Sequence, residues 1–127
     1  MNYTTEGSHV FADFWGVDES LLNDGHSLKQ WMQEGAELAG ATVLSCAIET
    51  FKPQGVTIAV LLAESHFTIH TYPEKGFCAL DCYTCGESTS PSKAIKWLEN
   101  ILQPSKVRYR EIERGYAEEG EKVYGQS

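Results

Sequence analysis

The 127 residues of this chain contain no glycine-rich dinucleotide fingerprint, no phosphate-binding loop and no HExxH zinc helix. Three common routes to cofactor or metal chemistry are therefore closed. No apolar run approaches the ~18 residues that cross a bilayer, and Met1 to Glu6 has neither the basic start nor the apolar core of a secretory leader. These absences predict a cytoplasmic protein with no membrane partner. Cationic residues are also scarce, with 10 Lys and Arg against 18 Asp and Glu and a net charge of −8. Such a surface repels phosphate backbones, so no nucleic-acid partner is expected.

The four cysteines are Cys46, Cys78, Cys82 and Cys85. In a cytoplasmic chain they are expected as reduced thiols. Cys82-Tyr83-Thr84-Cys85 has CxxC spacing, but a zinc site needs two further ligands and neither a second CxxC nor an HxxxH is present. An extended Phe77–Thr84 segment would also put Cys78 and Cys82 on one face and Cys85 on the other. No metal is expected.

The length fits one domain, residues 1–127. Six segments carry strand patterning: His9–Trp15, Ala41–Phe51, Val56–Leu62, Ser65–Tyr72, Phe77–Thr84 and Lys106–Glu113. Val56–Leu62 is nearly all apolar and is expected to be buried on both faces. Pro73-Glu74-Lys75-Gly76 should turn a hairpin between the fourth and fifth strands. Apolar residues at helical spacing from Leu28 to Ala39, ended by Gly40, predict one helix. Ser90-Pro91 as N-cap and first residue, then Ala94, Ile95, Leu98, Ile101 and Leu102, predict a second that Pro104 stops. The pattern points to an α+β two-layer sandwich, an antiparallel-dominated sheet with two helices on one face. The polar tail after Gly115 is expected to be loose.

The chemistry concentrates in Glu64-Ser65-His66-Phe67-Thr68-Ile69-His70-Thr71-Tyr72-Pro73-Glu74, with Cys85 twenty residues after the serine. A serine hydroxyl can attack the carbonyl before it and turn that amide into an ester. Loss of the serine Cα proton then expels the ester, and hydrolysis of the resulting dehydroalanine leaves a pyruvoyl group. The peptide carbonyl is a poor electrophile, so the bond must be strained and its developing oxyanion must meet donors. Histidine is the side chain most often used for proton transfer, which makes His70 a candidate base, and Cys85 is a reasonable proton donor.

This run resembles the self-processing site of the prokaryotic S-adenosylmethionine decarboxylase proenzyme family. The glutamate–serine pair, the histidine five residues on and the cysteine twenty on all match, as do Thr68 to Glu74 and Thr84-Cys85-Gly86. Weaker likeness runs through His9 to Phe14, through Phe51 and Pro53-x-Gly55-Val56, and through Glu113-Arg114-Gly115. The resemblance implies cleavage between Glu64 and Ser65 into a β chain of residues 1–64 and an α chain of residues 65–127. It further implies a pyruvoyl cofactor derived from Ser65, which forms a Schiff base with S-adenosylmethionine and releases carbon dioxide, supplying spermidine and other polyamine synthesis. Thr57, where the family usually has serine, would be a processing hydroxyl beside Glu64, Ser65 and His70. Phe51 and Tyr72 (the latter usually tryptophan) would stack the adenine, and Glu74 would hold the ribose. A homodimer with active sites near the interface is implied as well. Ser8 stands where the family usually has arginine. Two alternatives remain: the same cofactor acting on arginine or ornithine, or an unprocessed regulatory homologue. His66, Cys46, Cys78 and Cys82 receive no role, and His66 is expected to face away from Ser65.

Overall fold

The computed structural model describes residues 4–86 and 88–117. The expectation of a loose tail falls largely on residues 118–121, which lie outside that range. Nine α-helices and strands follow one another among the described residues: β1 (Gly7–Trp15), α1 (Glu19–Leu22), α2 (Gly25–Leu38), β2 (Val43–Thr50), β3 (Val56–Leu62), β4 (Ser65–Tyr72), β5 (Phe77–Cys85), α3 (Pro91–Leu102) and β6 (Lys106–Arg114), with a 3-10 turn at Pro73–Lys75 between β4 and β5. The strands form one sheet in the order β2-β3-β4-β5-β1-β6. Every neighbouring pair runs antiparallel. With α2 and α3 packed on one face, this is the α+β sandwich that the patterning predicts.

Alternation along each strand decides what is buried. Val10, Ala12 and Phe14 of β1, Phe67 and Ile69 of β4, and Cys78, Leu80 and Cys82 of β5 point into the core. They meet Leu28 and Met32 of α2 and Ala94, Ile95 and Leu98 of α3. Burying an aliphatic side chain of this size removes about 1.5–3 kcal/mol of unfavourable hydration, so this layer holds the sheet to its helices. Gly40, at φ 90°, takes the left-handed backbone that ends α2 cleanly.

Three expectations are corrected. A third helix, α1, lies between β1 and α2, where the Asp18 carboxylate caps its first turn by accepting from Ser20 N–H. α2 begins a turn earlier than its apolar period, because Asp24 accepts from Ser27 N–H and starts it at Gly25. β3 is buried on one face only. Val56, Ile58, Val60 and Leu62 are covered by the helices, whereas Leu61 is 51% exposed on the opposite face. An all-apolar run cannot report which face a neighbouring layer covers. That uncovered face also displays Phe11, Trp15 and Tyr72.

Candidate active site

Only two residues, Ala63 and Glu64, join β3 to β4, whose ladder closes on the pair Leu62 and Ser65. Two-residue hairpin turns ordinarily take positive φ within the loop. Here it falls instead on Ser65, at φ 151°, a value that side chains with a Cβ seldom adopt. Strain of this kind costs about 1–3 kcal/mol. The neighbours keep it in place. The Glu64 carboxylate accepts from Thr42 N–H at 3.0 Å, and the Glu64 carbonyl accepts from Cys85 N–H at 3.1 Å. That second bond puts a backbone donor on the carbonyl the Ser65 hydroxyl would attack, within the range at which such donors stabilise an oxyanion.

The positive φ also turns Ser65 toward the residue after it. Ser65 Oγ lies 3.2 Å from His66 Nδ1, so His66 does not face away from Ser65. The simple alternation of an extended strand fails at a residue that is not in extended conformation. His66 Nε2 lies 3.2 Å from Asp81 Oδ2. The same oxygen is 2.8 Å from His9 Nε2, and Thr68 donates its hydroxyl to the other carboxylate oxygen. Burial alone would raise the Asp81 carboxyl, but the hydrogen bonds from Thr68, His9 and His66 outweigh it and hold the group below its ordinary value.

His9, His66 and Asp81 are close enough to hold a metal ion, but the chemistry of their neighbours favours a hydrogen-bonded array. Arg114 Nη1, which can only donate, is 3.1 Å from His9 Nδ1. A neutral His9 must therefore accept at Nδ1 and carry its proton on Nε2, the nitrogen facing Asp81. That nitrogen then has no lone pair for a metal. The Arg114 guanidinium also lies 4.6 Å above the Tyr83 ring, a cation–π contact. Ser8 Oγ donates to the Glu111 carboxylate at 2.6 Å.

The remaining candidates gather at the other end of the sheet. His70 Nδ1 pairs with Thr57 Oγ1 at 3.1 Å across the β3–β4 ladder. Tyr72 ends β4 with its ring stacked on Phe77, 5.6 Å between centroids, and Glu74 follows in a short 3-10 turn. Phe51, just beyond β2, is 50% exposed. His70 lies five strand steps beyond Ser65, a span of about 16 Å. Glu64, Ser65 and Cys85 thus form one group, and Thr57, His70, Phe51, Tyr72 and Glu74 another. Within one copy they do not meet.

Cys85 is half-buried, its Sγ 3.8 Å from the Tyr83 hydroxyl. Cys78 and Cys82 share one face, as the alternation predicts, and it is the helix-covered one; burial pushes both thiols up to about 12. Alkylation of the native protein should leave these two unmodified until denaturant is added. Mass mapping checks this, and labelling of Cys82 under native conditions would contradict its burial.

Sequence reasoning missed the array of His9, His66, Asp81 and Arg114. Alternation places the first three on the uncovered face, but the strand order β4-β5-β1 that makes them neighbours joins segments far apart in the chain.

Three comparisons bear on this site. The family model for S-adenosylmethionine decarboxylase matches residues 8–115. A curated relative from Brevibacillus brevis, named S-adenosylmethionine decarboxylase proenzyme, is 54% identical over 93% of this chain and 89% of its own length. One of the same name from Methanococcus maripaludis is 36% identical over 91% of this chain and 94% of its own. The crystal structure of the adenosylmethionine decarboxylase from Aquifex aeolicus superposes with a TM-score of 0.84 at 34% identity, covering 93% of this chain and 98% of that one. A Trypanosoma brucei AdoMetDC structure shares the fold at a TM-score of 0.59 and 14% identity, covering 80% of this chain and 44% of its own.

Proposed function

The chain belongs to the S-adenosylmethionine decarboxylase family, and from that we propose a self-processing enzyme of the cytoplasm. It cuts itself between Glu64 and Ser65, carries a pyruvoyl group made from Ser65, and decarboxylates S-adenosylmethionine for polyamine synthesis. One observation carries this reading: the Glu64–Ser65 bond lies in a two-residue hairpin beside a strained Ser65, with Cys85 N–H already on the Glu64 carbonyl.

In this reading the hydroxyl of Ser65 adds to the Glu64 carbonyl while Cys85 N–H takes the developing negative charge. The Glu64 carboxylate, anchored on Thr42, keeps the carbonyl from rotating away. His70, oriented by Thr57, removes the Cα proton of Ser65 in the elimination that follows. The pyruvoyl group then supplies the electron sink for loss of carbon dioxide. Cys85 holds the proton returned to the substrate.

Because His70 sits about 16 Å along the strand from Ser65, we infer that a homodimer builds each site. The uncovered face, with Phe11, Trp15, Leu61 and Tyr72 exposed, would receive the same face of a second copy. A two-fold axis through it would bring the His70 group of one copy to the Ser65 group of the other. Phe51 and Tyr72 would then stack adenine and Glu74 would hold the ribose. Stacking of this kind is worth ~1–3 kcal/mol. Phe51→Ala should raise the KM for S-adenosylmethionine about 10- to 100-fold while self-cleavage, read by mass, stays intact.

Release of carbon dioxide from carboxyl-labelled S-adenosylmethionine, arginine and ornithine tests the assignment. S-adenosylmethionine should be turned over and the two plain amino acids ignored. Turnover of arginine or ornithine alone would overturn the substrate while leaving the pyruvoyl group standing. An uncut, inactive chain would favour a regulatory homologue.

A further inference from the structure

We propose that His66, held by Asp81, is the base that takes the hydroxyl proton of Ser65 when it attacks the Glu64 carbonyl. This rests on the self-processing reading above and gives a role to a residue outside its His70 and Cys85 assignments. A serine hydroxyl is a weak nucleophile unless an adjacent base accepts its proton, and the base in turn needs an orienting group. All three parts are present: Ser65 Oγ to His66 Nδ1 at 3.2 Å, and His66 Nε2 to Asp81 Oδ2 at 3.2 Å.

The array fixes which imidazole nitrogen is free. The Asp81 carboxylate only accepts, so Nε2 of a neutral His66 carries the proton and Nδ1 presents its lone pair to Ser65. Asp81 is held in turn by Thr68 and by His9, whose ring is set by Arg114. The step balances on this chain's own atoms. The Ser65 Oγ–H bond breaks, its proton moves to His66 Nδ1, and Oγ bonds to the Glu64 carbonyl carbon. When that carbon releases the Ser65 nitrogen, the imidazolium returns the proton to it, leaving an ester and a free amine. His70 of the same copy lies about 16 Å along the strand, and His70 of a second copy has, in the reading above, a later task that concerns a carbon-bound proton. Two histidines with separate duties fit the two separate proton transfers.

Asp81 acts through His66 as a positioning residue. In Asp81→Asn, an amide that donates to Nε2 would leave the proton on Nδ1, the wrong tautomer for a base.

The test follows the full-length precursor, made by cell-free translation, as it converts to two fragments by mass. His66→Ala should cleave at least ~100-fold more slowly than wild type, and added imidazole should restore part of the rate. His66→Gln, which retains hydrogen-bonding groups but takes no proton, should be as slow. Asp81→Asn should be slow too, and the double variant His66→Ala with Asp81→Asn no slower than His66→Ala alone, since both act on one step. Wild-type cleavage in either His66 variant overturns the proposal. So does a slow His66→Ala chain with native near-ultraviolet circular dichroism that imidazole cannot accelerate. A wild-type chain that never cleaves defeats the self-processing reading itself, a distinct result.

Discussion

A Ser65→Ala chain is expected to remain one polypeptide of 127 residues and to show no decarboxylase activity. The wild type should separate under denaturing conditions into chains of 64 and 63 residues (127 − 64). The effect should be all or none, because in the proposed mechanism one hydroxyl is both the nucleophile that cuts the chain and the source of the cofactor. Alanine at this position still has a Cβ and so still meets the unfavourable backbone at φ 151°. Strain therefore persists while the nucleophile is gone, which separates the two contributions. Intact-mass measurement decides it. A wild type that is active as a single full-length chain would remove the pyruvoyl assignment altogether.

Mixing two dead variants should restore cleavage. His70→Ala alone is expected to stall at or before the ester, because the Cα proton of Ser65 has no base. Ser65→Ala alone has nothing to cut. In the proposed dimer, a mixed pair of the two would combine Ser65 from the His70→Ala chain with Thr57 and His70 from the Ser65→Ala chain at one site. Random pairing would let about half of the His70→Ala chains be cut, and none of the Ser65→Ala chains. Co-expression with distinguishable tags, read by fragment mass, gives the answer. If the wild type cleaves and the mixture does not, each site lies within one copy and the two-copy arrangement is wrong.

Much of the architecture was legible because each strand carries its own period. β4 matches its expected bounds from Ser65 to Tyr72, and α3 begins at the Ser90-Pro91 signal, although the Ser90 hydroxyl itself makes no capping bond. α1 was not legible, since four residues are too few to show a helical period. The direction in which His66 points was missed because alternation presumes extended backbone, and Ser65 departs from it. The split between the Ser65 and His70 groups was countable from the sequence once β4 was known to be straight through Tyr72. The meeting of His9, His66 and Asp81 was not, because three strands must be put in order before their side chains can be.

Cleavage at the proposed bond would leave two pieces that share one sheet. β2, β3 and β1 precede the Glu64–Ser65 bond, and β4, β5 and β6 follow it. In space they alternate as β2-β3, then β4-β5, then β1, then β6. Three of the five strand pairings (β3–β4, β5–β1 and β1–β6) therefore join one fragment to the other. α2 and α3, which pack together, also come from opposite sides of the cut. The two pieces are interlocked, and neither can leave without dismantling the sheet. The strained hairpin exists only after β3 and β4 have paired, so in the proposed mechanism folding would come before scission. If the chain cuts itself at the proposed bond, cleavage would report a completed fold, and a chain that misfolds would stay whole and inert.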